Sequence, residues 1–156
     1  MANTFVRKAI PADRYTEMKK LPYRVLGRTG VSVSMLGFGV APPGISRADA
    51  AFFERPLHEA IDLGINYIDV APTYGDGEEK LGPVIRERRD EVFLVTKTLL
   101  REPRNRDEAL KQIRESLGKL QTDYVDVVHL HNVGNFIAEE SLGPNGALNG
   151  LIQAKE

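Results

Sequence analysis

The chain contains no cysteine, so it can form neither a disulfide nor a thiolate metal site, and a reducing cytoplasm would suit it. It has no excess of either charge. Lys and Arg number 21 against 22 Asp and Glu, a formal net charge of -1. With the basic residues spread along the chain, there is no electrostatic footprint for nucleic acid or for an anionic membrane. Long apolar runs are also missing: MANTFVRKAIPADRYTEMKK, at the N-terminus, holds no stretch that could serve as a signal h-region or a membrane span. Nucleic-acid and membrane partners are thereby set aside, and a cytoplasmic protein is expected. What is present is the composition of an ordinary globular protein, 42% hydrophobic and 28% charged over 156 residues, enough for one domain with a core.

A polar N-terminal tail, residues 1–22, precedes two short β-prone segments, Tyr23 to Leu26 and Val31 to Met35, joined by Gly27-Arg28-Thr29-Gly30. This spacing predicts a hairpin. Its second arm alternates apolar and small polar residues, as a half-buried antiparallel strand would. From Leu36 the rhythm changes to short apolar runs followed by stretches of helical period. Leu36 to Val40 precedes Ala48 to Leu63, Tyr67 to Val70 precedes Glu78 to Arg88, Val92 to Lys97 precedes Arg106 to Leu120, and Tyr124 to His131 comes last. The order βαβαβαβ implies parallel strands joined by right-handed crossovers. Asn105 stands where it can cap a helix whose Leu110, Ile113, Leu117 and Leu120 recur at three- and four-residue spacing. Pro56 conflicts with the pattern and should kink or split the first helical segment. Near the end, Leu148, Leu151 and Ile152 open an amphipathic stripe with no glycine or proline stop after it. The chain is expected to end inside that helix, the alternative being an uncapped helix that frays.

Side chains at the C-terminal ends of barrel strands converge on a shared mouth even when distant in sequence. Here the second parallel strand closes with Asp69, the third with Lys97 and the fourth with His131, and Tyr74 follows Asp69 by five residues on the loop leaving that mouth. Alternation puts Phe93 and Val95 on the face of Lys97, and Val127 and His129 on the face of His131. A lysine that closes an apolar run needs a partner, and Asp69 is the natural one. The pair would hold an ammonium beside the phenol of Tyr74, suiting it to deliver a proton as a general acid, with His131 donating a hydrogen bond to the same substrate oxygen. Carbonyl reduction is the chemistry suggested. Singly, each residue has a plainer reading: Asp69 as a loop carboxylate, Tyr74 as a surface aromatic, Lys97 as a solvated strand end. His129, two residues inside the strand, reads as a barrel-interior or hydrogen-bonded core histidine rather than a catalyst. Asp76-Gly77-Glu78-Glu79 reads as a helix start, where carboxylates suit the dipole, rather than as a metal site. Gly37-Phe38-Gly39 is too short for a dinucleotide fingerprint.

At these residues a resemblance becomes specific. Asn66-Tyr67-Ile68-Asp69-Val70-Ala71-Pro72-Thr73-Tyr74-Gly75, followed by Glu78-Glu79-Lys80-Leu81-Gly82, resembles the signature of the aldo-keto reductases. Lys97 in Val92-Phe93-Leu94-Val95-Thr96-Lys97 is similar to that family's strand-three lysine, and His131 to its strand-four histidine. The hairpin and Leu36-Gly37-Phe38-Gly39 resemble its barrel-bottom plug and first strand.

The resemblance implies an α/β fold, the N-terminal half of a (β/α)8 TIM barrel over residues 23–156, with a β-hairpin, about four parallel strands and three to four helices. It also implies a metal-free oxidoreductase that uses NADPH or NADH to reduce a small aldehyde or ketone, with Asp69, Tyr74, Lys97 and His131 catalytic. Gly39, Val40, Asp69 and Tyr74 would lie near the nicotinamide. The family holds the rest of the cofactor mainly on loops after the last two strands, beyond Glu156, and a whole barrel takes about 250 residues. Many members place Trp-Pro where Asn132-Val133 stands, which bears on the substrate pocket. Four parallel strands cannot close a barrel. The open edges would be covered by a second copy or by a complementing C-terminal half, or the unit would flatten into a flavodoxin-like sheet. The alternative to an enzyme is a non-catalytic half barrel that acts by association.

Overall fold

The computed structural model describes residues 21–41, 50–98, 105–131 and 135–155. Expectations that fall on the tail before Leu21, on Ala48 or on Asn132-Val133 lie outside these residues.

The hairpin forms where the turn residues put it, with β1 (Tyr23–Val25) antiparallel to β2 (Ser32–Ser34). Gly27 and Gly30, at φ 52° and 78°, take the left-handed backbone that the return requires, and the Thr29 hydroxyl braces it by donating to the Leu26 carbonyl at 2.7 Å. Burial along β2 departs from simple alternation. Val33 is buried, but so is the polar Ser34, while Val31 and Met35 are exposed. The cause is Asn66, in the connection before the second parallel strand. The Ser34 N–H donates to Asn66 Oδ1 at 2.7 Å, the Asn66 N–H donates to Ser34 Oγ at 3.1 Å, and the Ser34 hydroxyl donates to the Leu36 carbonyl at 2.6 Å. Hydrogen bonds, not apolar packing, draw Ser34 inward. They moor the hairpin under one end of the sheet.

That sheet consists of β3 (Gly37–Gly39), β4 (Tyr67–Asp69), β5 (Phe93–Lys97) and β6 (Val127–His129), all parallel and in sequential order. The connecting helices are α1 (Ala50–Asp62), α2 (Gly77–Arg88) and α3 (Arg106–Leu120), each packed on the next. Leu57 of α1, Leu81, Val84 and Ile85 of α2 and Leu120 of α3 join Ile68 and Leu94 of the strands and Val70 just past β4 in one buried cluster, so the helices share a face of the sheet. Sequential strands with helices along one face make a barrel segment; a flavodoxin-like sheet would reverse its strand order and carry helices on both sides.

Three details correct the sequence reading. The helix α1 runs through Pro56 as one element; Pro56 lies on the exposed side, where water can serve the carbonyl left without a donor. The strand β6 starts at Val127, not Tyr124, because the Tyr124 carbonyl accepts from Arg89 Nε at 3.2 Å and the Leu94 N–H goes to the Asp126 side chain at 2.7 Å instead of to a strand carbonyl. An additional helix, α4 (Asn135–Leu142), precedes α5 (Ala147–Lys155), making five helices among the described residues. In α4 the apolar Phe136-Ile137-Ala138 are consecutive, so eight residues carry no helical period. The cap of α3 is as expected, with Asn105 Oδ1 accepting the Glu108 N–H at 2.9 Å.

Candidate active site

Register aligns the inner row of the sheet. Gly39, Asp69, Val95 and Val127 share one level, and Lys97 pairs with His129 on the next. From there Lys97 reaches back across the strand boundary. Its ammonium donates to Asp69 Oδ1 at 2.6 Å and to the Val70 carbonyl at 2.9 Å, with 10% of its side chain exposed against 30% for Asp69. The same ammonium lies 4.8 Å from the centre of the Tyr74 ring. A tight turn places that ring, with the Tyr74 N–H bonded to the Ala71 carbonyl at 2.9 Å and the Gly77 N–H to the Tyr74 carbonyl at 3.1 Å. His131 meets Tyr74 edge to face, ring centres 5.9 Å apart at 84°, and its Nδ1 lies 3.4 Å from the Thr73 hydroxyl oxygen. The four side chains that the sequence singled out, Asp69, Tyr74, Lys97 and His131, therefore form one group.

Electrostatics distinguish the rings around them. Burial first, and then the charge of Lys97, holds His131 below the usual histidine value, against a smaller opposing effect of Asp69; its imidazole is neutral at neutral pH. Tyr67, one level below, stacks on Phe93 with ring centres 5.7 Å apart, and burial followed by the Asp69 charge pushes its phenol up. It belongs to the floor.

Other placements differ from the sequence reading. His131 lies two residues past the end of β6, and it is His129 that closes the strand. His129 stands beside Lys97 on the inner row, as a barrel-interior residue would, but it is exposed rather than part of a core. Gly39 is exposed at the end of β3 beside Asp69, and a Cβ there would meet nothing within 4 Å. Val40 buries its side chain in the helix-side core and gives its N–H to the Asp69 carbonyl at 2.8 Å, so at most its carbonyl is left for a ligand. The acidic run disperses: Asp76 pairs with Lys80 at 2.8 Å, Glu79 with Lys119 at 3.0 Å, and Glu78 is buried and accepts from the Thr96 hydroxyl at 2.8 Å. Among the described residues no three His, Asp or Glu gather as a metal set. Sequence reasoning missed Thr73 and the Val70 carbonyl; the one available signal was their place between Asp69 and Tyr74 on the mouth loop.

The fold and this group define an α/β-barrel segment with an ion pair, a phenol and an imidazole at its mouth. The aldo/keto reductase family model matches residues 35–140. L-galactose dehydrogenase of Arabidopsis thaliana is 36% identical over 129 residues, 74% of this chain and 40% of that protein. The aldo-keto reductase YhdN of Bacillus subtilis is 34% identical over 125 residues, 71% of this chain and 38% of that one. The crystal structure of an aldo-keto reductase from Klebsiella pneumoniae in complex with NADPH aligns at a TM-score of 0.66 and 31% identity, over 80% of this chain and 43% of its own. The chain belongs to the aldo/keto reductase family. It spans less than half the length of these relatives.

Proposed function

We propose that the chain is a nicotinamide-dependent oxidoreductase that reduces a small aldehyde or ketone to an alcohol, with Asp69, Tyr74, Lys97 and His131 as its catalytic residues. The observation that carries this reading is the Lys97 ammonium, pinned by Asp69 Oδ1 and held 4.8 Å from the Tyr74 ring, with the neutral His131 ring set edge-on beside it. Asp69 and the Val70 carbonyl fix the ammonium. Beside that ammonium Tyr74 would give its proton to a carbonyl oxygen, and His131 would orient that oxygen by donating a hydrogen bond. A bound nicotinamide would supply the hydride to the carbonyl carbon.

The described residues fit the nicotinamide end of such a cofactor. The space over Gly39 is open at the level of Asp69, so a flat ring could lie there, flanked by Asp69 and Tyr74, with the Val40 carbonyl available at the edge. NADPH is the cofactor named for the Klebsiella relative and is the one we assign, NADH being the alternative. The remaining cofactor contacts would come from a partner, either a second copy of the chain or a complementing C-terminal half, seated on the open inner face between the edge strands β3 and β6.

Calorimetric titration with NADPH, followed by aldehyde reduction with Tyr74→Phe as control, tests the reading. Micromolar binding and turnover that falls at least a hundredfold in Tyr74→Phe are expected. No binding at millimolar cofactor, alone or with light scattering showing the chain assembled, would favour the second reading, a non-catalytic half barrel that acts by association. The open sheet edges are the observation behind that alternative.

A further inference from the structure

Thr73 and His131 stand 58 residues apart, yet their side chains meet, with Oγ1 3.4 Å from Nδ1. A neutral imidazole carries its hydrogen on one of two nitrogens, and the partner of the first nitrogen decides the state of the second. The Thr73 hydroxyl has a hydrogen to donate, and Nδ1 of His131 is the protein acceptor it meets among the described residues. If Nδ1 instead carried the hydrogen and donated to Oγ1, the hydroxyl's own hydrogen would lack a protein acceptor on a half-buried loop. The ring meets Tyr74 edge to face, and a half-turn within that plane would put Cδ2 where Nδ1 stands and lose the contact with Thr73.

We propose that Thr73 is a positioning residue that selects the Nε2–H tautomer of His131, leaving the ring nitrogen that the loop does not hold as a hydrogen-bond donor toward the mouth. For its purpose the proposal rests on the reductase reading above, since a donor at Nε2 is what orients a carbonyl oxygen. The tautomer itself is a property of the chain alone. Because burial and Lys97 keep the ring neutral, tautomer choice rather than protonation sets what His131 offers at neutral pH.

The test is a two-bond proton–nitrogen correlation spectrum of the chain labelled with 15N-histidine at neutral pH. His131→Gln assigns the His131 signals among the chain's 3 histidines. The expected pattern for His131 is a pyridine-type Nδ1 and a pyrrole-type Nε2. Thr73→Val should raise the ratio of Nδ1–H to Nε2–H about fivefold, the worth of one ordinary hydrogen bond, and Thr73→Ser should restore the original ratio. A pyrrole-type Nδ1 in the unaltered chain would overturn the proposal, as would a Thr73→Val ratio no different from it. If Thr73→Val does not fold, Thr73→Ala, which also lacks the hydroxyl, decides: a raised share of Nδ1–H upholds the role of the hydroxyl and an unchanged one overturns it. Failure to bind NADPH would sink the reductase reading and leave this spectrum untouched.

Discussion

Alternate residues of the same short strands make the two faces of the parallel sheet, and the faces are held in different ways. On the helix side Ile68, Val70 and Leu94 are fully buried beneath Leu57, Leu81, Ile85 and Leu120. On the other side the apolar cluster is small. Val33, Phe93 and Val95, backed by Leu26, Tyr67 and Val127, occupy the end where the hairpin sits, and the row then turns to Asp69, Lys97 and exposed His129. Apolar burial holds the first face. The second adds one ion pair and a handful of hydrogen bonds to its small apolar cluster, and it is the face that carries the reactive groups. A period of two lets neighbouring positions in one strand take opposite tasks, so single substitutions should separate stability from chemistry.

The largest expected effect is on the helix side. Leu94→Ala should cost about 2–5 kcal/mol, a large share of an ordinary domain's stability, because a fully buried leucine leaves a cavity as well as lost transfer energy. Val127→Ala, half-buried on the inner row, should cost less than about 1 kcal/mol. Urea denaturation of both variants measures the contrast, and equal losses would break it. Next comes the contact between helices. A Cβ on Gly82 would fall 2.5 Å from the Lys119 carbonyl, where backbone cannot yield, so Gly82→Ala should destabilise by about 1–3 kcal/mol although alanine is the better helix former. A more stable Gly82→Ala variant in the same denaturation series would show that α2 and α3 are not pressed together as described.

This division between faces also explains how far the sequence could be read. Strand order, the hairpin and the ends of β4 and β5 were legible because apolar runs, turn glycines and helical spacing are local signals, and Asp69 and Lys97 close those runs. The cap on α3 was legible for the same reason. The start of β6 was not, since it is set by Arg89, whose side chain lies 37 residues from Asp126 in sequence and pairs with it at 2.7 Å. The exposure of His129 was illegible because alternation assigns a residue to a face without revealing whether anything covers that face. Thr73 carried only its place on the mouth loop as a signal, since a threonine before a tyrosine shows nothing of a histidine 58 positions later.

The smallest expected effect lies at the one carboxylate buried among the described residues, and it sharpens the comparison because it places a titratable group on the apolar side. Glu78 sits between α2 and β5, and burial pushes its carboxyl up from 4.5, with the bond from Thr96 opposing. The folded chain thus holds this proton more tightly than the unfolded chain does. It follows that stability is full below the unfolded value of 4.5, falls as pH rises through the interval up to the folded value, and is level above it. Glu78→Gln keeps the shape of the protonated acid and cannot ionise, so it should lack that decline and melt higher than the unaltered chain at neutral pH, with the two converging at low pH. Thermal melts of both proteins from about pH 4 to about pH 8 read the difference directly, and groups common to both cancel. Parallel curves would mean that Glu78 ionises as readily in the folded chain as in the unfolded one. In that case water or a rearranged Lys119 would have to reach it, and the helix side would be less dry than the apolar residues around it indicate.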